Sequence, residues 1–283
     1  MFLNAVILIL QEILEAALLI SVLLVLTRLL YKIWNQDLQI TLGAIYIAAF
    51  LGGAGAWLYA IYTPSISEWF DYVGQEVVNA SLHVVSLILL IILAYLIPSK
   101  HFSSRALLQS RAAIFCMLGV VLLALVREGS EIILYIGGFS AQPENFSPVL
   151  FGGLIGGGIG VSSGIFLYYT LSSLRHQWSL KLCLLLLALI SGNMASQVVL
   201  LLTQADWLPY TPIAWDTSML LTESSVTGHL LYALIGYEAT PSWLQVMCYI
   251  VGVIMIMVSP LVRTIWPARV DGEKENLVEK RQY

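Results

Sequence analysis

Residues 127–136 read Arg-Glu-Gly-Ser-Glu-Ile-Ile-Leu-Tyr-Ile, and residues 11–20 read Gln-Glu-Ile-Leu-Glu-Ala-Ala-Leu-Leu-Ile. Each stretch lies inside a long apolar run and carries two glutamates three residues apart. This spacing puts both carboxylates on the same face of a helix. An acidic residue near the centre of a bilayer costs roughly 2.5 to 3.5 kcal/mol, so four of them indicate a functional site.

The overall composition is that of an integral membrane protein. Of the 283 residues, 59% are hydrophobic and 11% are charged, and the mean hydropathy is +0.87. Soluble enzyme folds are excluded by this composition, and nucleic acid is excluded as a partner because the net charge is -4. The three cysteines, Cys116, Cys183 and Cys248, lie singly in apolar runs and are interpreted as small buried hydrophobic residues.

Seven stretches are long enough to cross a membrane. A hydrocarbon core of about 30 Å needs about 20 helical residues. The sequence therefore predicts an all-α integral membrane protein with seven transmembrane helices, embedded in a lipid bilayer. The predicted spans are residues 3–30, 41–62, 78–97, 112–137, 148–171, 182–203 and 244–266. Apolar periodicity over residues 218–237, with breaks at Gly228 and Gly236, predicts a further helix on or in the outer face.

The basic residues fall on alternate membrane faces. Twelve of the 13 lie at every second face or in the tail, and Arg127 alone lies inside a span. Because basic loops stay in the cytosol, the N-terminus is predicted to be extracytoplasmic and the C-terminus cytosolic. The predicted outer loops carry acids and no basic residue, which either attracts cations or reflects only the exclusion of basic residues. These acids are Glu68, Asp71, Glu76, Glu144, Asp206, Asp216, Glu223 and Glu238.

An internal repeat relates the two halves of the chain. The glutamate motifs are offset by 116 residues, and Asn79-Ala80-Ser81-Leu82-His83 parallels Asn193-Met194-Ala195-Ser196-Gln197 at an offset of 114 residues. A duplicated unit of three spans is necessarily inverted, which is typical of transporters. The predicted units are a first repeat (residues 1–98), a second, inverted repeat (111–204), an extracytoplasmic loop with a helix (205–243), the seventh transmembrane helix (244–266) and a cytosolic tail (267–283).

The four intramembrane glutamates, Glu12, Glu15, Glu128 and Glu131, are predicted to form one cation site. The two motifs lie at matching depths on antiparallel helices, so that their acidic faces can meet across the repeat interface. Arg127 is expected to hold one carboxylate ionised, and the formal charge of the site is then -3. Oxygen ligands without thiolates or thioethers favour a hard metal cation.

Other polar residues at repeat-related positions are candidates for a supporting role. They either line the same cavity or form hydrogen bonds between helices. Besides Arg127, the supporting set is Gln11, Asn79, His83, Asn193 and Gln197.

Glycines recur every four residues in the fifth span, at Gly152, Gly156, Gly160 and Gly164. This stripe predicts close packing against a neighbouring helix. It also explains the Gly-x-Ser-x-Gly pattern at residues 160–164, which is rejected as a hydrolase motif because no strand precedes it.

The paired Arg-Glu-x-x-Glu motifs in spans one and four resemble those of the high-affinity, oxidase-dependent iron permease family, of the bacterial type. Residues 215–218 (Trp-Asp-Thr-Ser), 228–237 and 241–245 are similar to that family's last outer loop and final span. The first motif departs from the pattern, since Gln11 and Ile13 stand where the family usually has Arg and Gly.

The resemblance implies a permease, not an enzyme, that imports ferric iron across the plasma (inner) membrane. The family's motif positions fall on Glu12, Glu15, Arg127, Glu128 and Glu131. The resemblance also implies an extracytoplasmic ferroxidase or iron-binding partner. Iron is expected as cargo, and no cofactor is expected. The residues alone leave open a proton-coupled carrier or membrane-embedded enzyme that uses the same acids as a proton relay.

Overall fold

The computed structural model describes residues 1–34, 38–97, 106–222 and 225–265, and these ranges are almost entirely helical. The predicted cytosolic tail (267–283), Trp266 and the outer acid Glu223 lie outside the described residues. The helices are α1 (Phe2–Trp34), α2 (Leu38–Ser67), α3 (Trp69–Tyr72), α4 (Gly74–Leu96), α5 (Ala106–Gly138), α6 (Pro143–Ser173), α7 (His176–Gln204), α8 (Val226–Ile235) and α9 (Trp243–Ile265).

The seven predicted spans are confirmed. Seven helices of the described ranges are long and apolar enough to cross a membrane, namely α1, α2, α4, α5, α6, α7 and α9. The short α3 is a single turn with left-handed backbone at Phe70 and Asp71. It joins α2 to α4 outside the spans.

The outer helix is shorter than predicted. It begins after Ser225, whose hydroxyl oxygen accepts a hydrogen bond from the Gly228 amide at 3.0 Å, and it ends at Gly236, whose φ is 68°. Gly236 is the predicted break, because a left-handed residue closes the helix without steric cost only if it lacks a Cβ. The break predicted at Gly228 is wrong, since its amide belongs to the first turn that Ser225 caps.

Helices α1 and α5, which carry the glutamate motifs, pack against each other at the centre of the bundle. Each is supported mainly by a helix of the other predicted repeat, α1 by α6 and α5 by α2. Helices α4 and α7 contact each other, and α9 covers both. This crosswise packing is the kind an inverted repeat favours, and the repeat boundaries stay a prediction.

The glycine stripe of α6 lies against α1. A Cβ added at Gly160 would stand 2.9 Å from Ile13 Cγ2, and one at Gly164 would stand 2.7 Å from Ala17 Cβ. Ser162, the central residue of the rejected hydrolase pattern, lies on an exposed face and donates its hydroxyl to Gly158 O at 2.7 Å. The stripe therefore serves helix packing, and it fixes the position of α1.

We expect Gly156→Leu to destabilise the protein, because a side chain there would run into the α1 backbone at Val6 and Leu10. Overpacking of this kind costs about 1 to 3 kcal/mol. The measurement is thermal unfolding of detergent-purified protein. Gly158→Leu is the matched control, since nothing lies within 4 Å of a Cβ at Gly158. Equal stability of the two variants would contradict the close contact.

One half of the bundle is closed by large apolar side chains. It lies towards the C-terminal end of α1 and the N-terminal half of α5. Its fully buried residues, called here the apolar plug, are Leu23, Leu26, Leu30, Leu90, Leu93, Met117, Val120 and Leu187. The cavities described below lie in the opposite half, so the glutamates stand between an open end and a packed end.

Candidate metal centre

Three of the four predicted glutamates converge. Glu12, Glu128 and Glu131 each offer a carboxylate oxygen within 4.8 Å of the others. Glu12 and Glu128 are buried, and Glu131 is partly exposed. Oxygen ligands so arranged can hold one cation at metal–oxygen distances of about 2.0 to 2.6 Å after small side-chain adjustments. These three residues are called the outer cluster.

The outer cluster has unused ligand capacity. Glu12 Oε2 is buried and has no hydrogen-bond partner among the described residues. A buried acceptor without a partner costs about 1 to 3 kcal/mol, which a bound cation would recover. This unpartnered carboxylate oxygen is available as a metal ligand.

Glu15 stands apart from the outer cluster. Its Oε2 lies 3.3 Å from Arg127 Nη2, and its Oε1 accepts a hydrogen bond of 3.5 Å from Gln11 Nε2. The structure therefore brings together three of the four glutamates of the predicted shared site and places the fourth on Arg127. The carboxylate spacing within each motif could not reveal this division.

Arg127 bridges the two motifs. Besides Glu15, its Nη2 donates to Glu128 Oε2 at 2.9 Å, and its Nε lies 3.8 Å from Glu131 Oε1. Its Nη1 contacts the His83 ring at Nε2. A guanidinium can only donate hydrogen bonds, so the contacting ring nitrogen of His83 is an acceptor and the imidazole is neutral. The four carboxylates and one guanidinium carry a formal charge of -3.

A cavity of about 410 Å³ leads to the outer cluster from the end where α1 begins. Glu12 and Glu131 line it together with Gln75, Glu76 and Asn79. Asn79 Oδ1 also accepts a hydrogen bond from the Tyr59 hydroxyl at 2.9 Å, which ties α2 to α4. Gln75 and Tyr59 were not predicted, because neutral polar residues near span ends carry no distinctive signal.

A second and much smaller pocket, of about 30 Å³, lies on the other side of Arg127. It is called the inner pocket. The polar residues that line it are Glu15, His83, Arg127, Glu128 and Asn193. Of the repeat-related candidates, Asn79 thus lines the cavity before the cluster, whereas His83 and Asn193 line the inner pocket. They share no single cavity.

A third cavity, of about 400 Å³, lies between α1, α8 and the loop before α9. The predicted supporting residues Gln11 and Gln197 belong to this region. Gln11 Oε1 lies 2.6 Å from His229 Nδ1, and Gln197 Nε2 donates to Glu238 Oε1 at 3.3 Å. His229 was given no role from sequence, since a single histidine in an outer helix is usually unremarkable.

The departure at Ile13 has a packing reason. Ile13 fits over glycines of α6, so a Cβ at Gly157 would meet Ile13 Cδ1 at 3.0 Å. In the second motif the corresponding residue is Gly129, where a Cβ would meet Ala56 Cβ at 2.8 Å. In the first half, the large residue Ile13 lies on the motif helix α1 and packs against glycines of α6. In the second half, small residues lie on both helices, Gly129 on α5 and Ala56 on α2.

The known proteins that this chain resembles are iron permeases. Residues 2–266 match the iron permease FTR1 family. The chain is 24% identical over 264 residues to "Ferrous iron permease EfeU" of Escherichia coli O6:H1 strain CFT073, covering 89% of this chain and 92% of the relative. It is 22% identical over 262 residues to "Putative inactive ferrous iron permease EfeU" of Escherichia coli strain K12, covering 88% and 92%. No solved structure gives a significant match. Because the match spans nearly the whole length, the chain belongs to the iron permease FTR1 family.

Proposed function

We propose that this chain imports iron across the plasma (inner) membrane through the outer cluster of Glu12, Glu128 and Glu131. The observation that carries the proposal is the convergence of three intramembrane carboxylates, two of them buried, in a chain of an iron permease family. Burying acids in a membrane is costly, and a cargo cation offsets that cost. Arg127 neutralises part of the charge and prevents mutual repulsion from opening the site.

The cluster favours ferric iron as the cargo. Its ligands are carboxylate oxygens, which suit a hard, highly charged ion. The formal charge of -3 across the four glutamates and Arg127 matches three positive charges. The relatives are named for ferrous iron, so ferrous iron is the competing cargo.

Iron is proposed to enter from the extracytoplasmic side. The distribution of twelve basic residues favours a cytosolic location for the other face. The cavity of about 410 Å³ opens where α1 begins, and the apolar plug closes the end where α1 finishes. Glu76 in the cavity wall and the other outer acids would concentrate cations at this face. An extracytoplasmic ferroxidase or iron-binding partner stays an expectation of the family resemblance.

The test is iron flux into vesicles that contain only this protein. Vesicles whose C-terminal tails resist external protease present the extracytoplasmic face outward. We expect these vesicles to accumulate radioactive iron supplied as ferric citrate, and to accumulate less when the same iron is supplied as anoxic ferrous salt. Faster uptake of the ferrous form would show that ferrous iron, and not ferric iron, is the cargo. No uptake of either form would contradict the proposal.

A proton relay through the same acids is the alternative function. It predicts proton movement without iron, which a pH-sensitive dye inside the vesicles would record. Under the permease proposal, proton movement without iron stays at the level of protein-free vesicles.

A further inference from the structure

The inner pocket has the chemistry of a second cation site. Four helices contribute potential ligands to it: Glu15 from α1, His83 from α4, Glu128 from α5 and Asn193 from α7. Carboxylate oxygens, an imidazole nitrogen and an amide oxygen are donors that iron accepts. The pocket volume of about 30 Å³ is that of one small guest.

The guanidinium of Arg127 lies in the wall of this pocket and already binds the ligands that such a guest would use. It contacts Glu15 at 3.3 Å, Glu128 at 2.9 Å and the ring of His83. Arginine is a permanent cation, so it satisfies these three groups as a bound metal ion would. Its distance to Glu131, another residue of the outer cluster, is longer than these, with Nε 3.8 Å from Oε1.

Asn193 supplies an independent observation. Its side chain lines the inner pocket, only 9% of the residue is exposed, and Oδ1 is buried with no hydrogen-bond partner in the part of the chain that the structure describes. Buried amides are ordinarily hydrogen-bonded. Asn193 Oδ1 lies against Gly236, where an added Cβ would stand 2.8 Å from it. The amide of Asn193 is therefore an unused acceptor at the wall of the pocket, in addition to the groups that the guanidinium binds.

We infer that the inner pocket is a second iron station, whose ligands Arg127 holds as a tethered cation until iron arrives from the outer cluster. The inference rests on the proposed function, because the outer cluster is the first station. Glu128 belongs to both stations, so an ion that moves inward keeps one ligand throughout. Arg127 moves towards Glu131, whose carboxylate then exchanges iron for the guanidinium. Each station keeps a positive charge during the exchange.

The test counts the ions bound to the purified full-length chain in lipid nanodiscs, titrated with ferric citrate and, separately under anoxic conditions, with ferrous iron. We expect one ion per chain in the unmodified protein and two in Arg127→Leu, which frees Glu15, Glu128 and His83 from the guanidinium. In Arg127→Leu with Asn193→Ala, the second ion should bind at least about tenfold more weakly. Ser191→Ala in the same background is the matched control, because Ser191 is also a buried α7 residue with an unpartnered hydroxyl but does not line the pocket.

The outcomes separate the two proposals. If the unmodified protein binds one ion, a single ion in Arg127→Leu overturns the inner station, and so does equal weakening by Asn193→Ala and Ser191→Ala. No ion in the unmodified protein overturns the outer cluster as binding site, while a single ion in Arg127→Leu that depends on Asn193 still supports the inner station.

A flux measurement covers the case in which Arg127→Leu fails to fold. With Arg127 present, Asn193→Ala should lower the maximal iron flux into vesicles about tenfold and leave the half-saturating iron concentration unchanged. Asn193→Asp, which keeps an oxygen ligand, should restore most of the rate. Unchanged flux in Asn193→Ala, or a shift in half-saturation alone, would overturn the inference.

Discussion

Glu12→Gln should abolish iron binding to the outer cluster and reduce iron uptake by about a hundredfold or more. The substitution keeps the size of the side chain and removes one of three converging charges, together with the unpartnered oxygen Oε2. Loss of a residue that only hydrogen-bonds to a metal ligand lowers metal affinity by roughly 10- to 100-fold. Loss of a direct ligand should lower the affinity at least as much. Calorimetry with purified protein gives the affinity, and flux into vesicles gives the transport rate.

Glu15→Gln is the matched comparison, because Glu15 belongs to the same motif but bonds to Arg127. It should leave one ion bound at the outer cluster and still stop transport. Glu128→Gln and Glu131→Gln should resemble Glu12→Gln, and combining any two should add little because the site is already lost. Stoichiometric binding that survives in both Glu12→Gln and Glu131→Gln would contradict the outer cluster and favour a proton relay.

Arg127→Leu should reduce iron uptake severely, by about a hundredfold, although the protein still inserts in the membrane. Removing one partner of a buried charge network typically costs about 3 to 5 kcal/mol, because the remaining charges are left uncompensated. Four carboxylates without a counter-charge would hold iron tightly and release it slowly. Uptake per molecule of membrane-inserted protein, quantified by immunoblot, is the measurement.

Arg127→Lys provides the control for charge alone. Lysine keeps the positive charge but cannot bridge Glu15, Glu128 and His83 with a planar fork of donors. Its uptake should lie between that of the unmodified protein and that of Arg127→Leu. Normal uptake by Arg127→Leu would show that the arginine serves only to hold helices together.

Much of the site was predictable because intramembrane charges are rare and costly. The four glutamates stood out by that cost, and the offset of 116 residues between motifs predicted that the two helices meet. Arg127 was predicted as the counter-charge for the same reason. The rotation of α1 relative to α5 was not predictable, since it depends on how Ile13 packs over Gly157 and Gly160. That rotation decides which three glutamates converge.

The pairings with histidine were also beyond the sequence. His83 contacts Arg127 across 44 residues, and His229 contacts Gln11 across 218 residues. No local pattern links residues so distant along the chain. The two ends of the outer helix differ in this respect. Its C-terminus at Gly236 was predicted from the sequence, whereas its start at Val226 depends on the cap that Ser225 provides.

Under the proposed import through the outer cluster, the apolar plug would determine where the membrane voltage acts on the cargo. The outer cluster adjoins a cavity of about 410 Å³. If this cavity faces the extracytoplasmic side, as proposed, the electric potential at the cluster is close to that of the outer solution. The potential then falls mainly across the packed half of the bundle, which along α1 from Leu19 to Leu30 measures about 16 Å at 1.5 Å per residue. Each charge that crosses 100 mV gains about 2.3 kcal/mol, so a ferric ion gains about 7 and a ferrous ion about 5. Under the proposed orientation, an inside-negative membrane would therefore drive import, and it would drive the more highly charged ion harder.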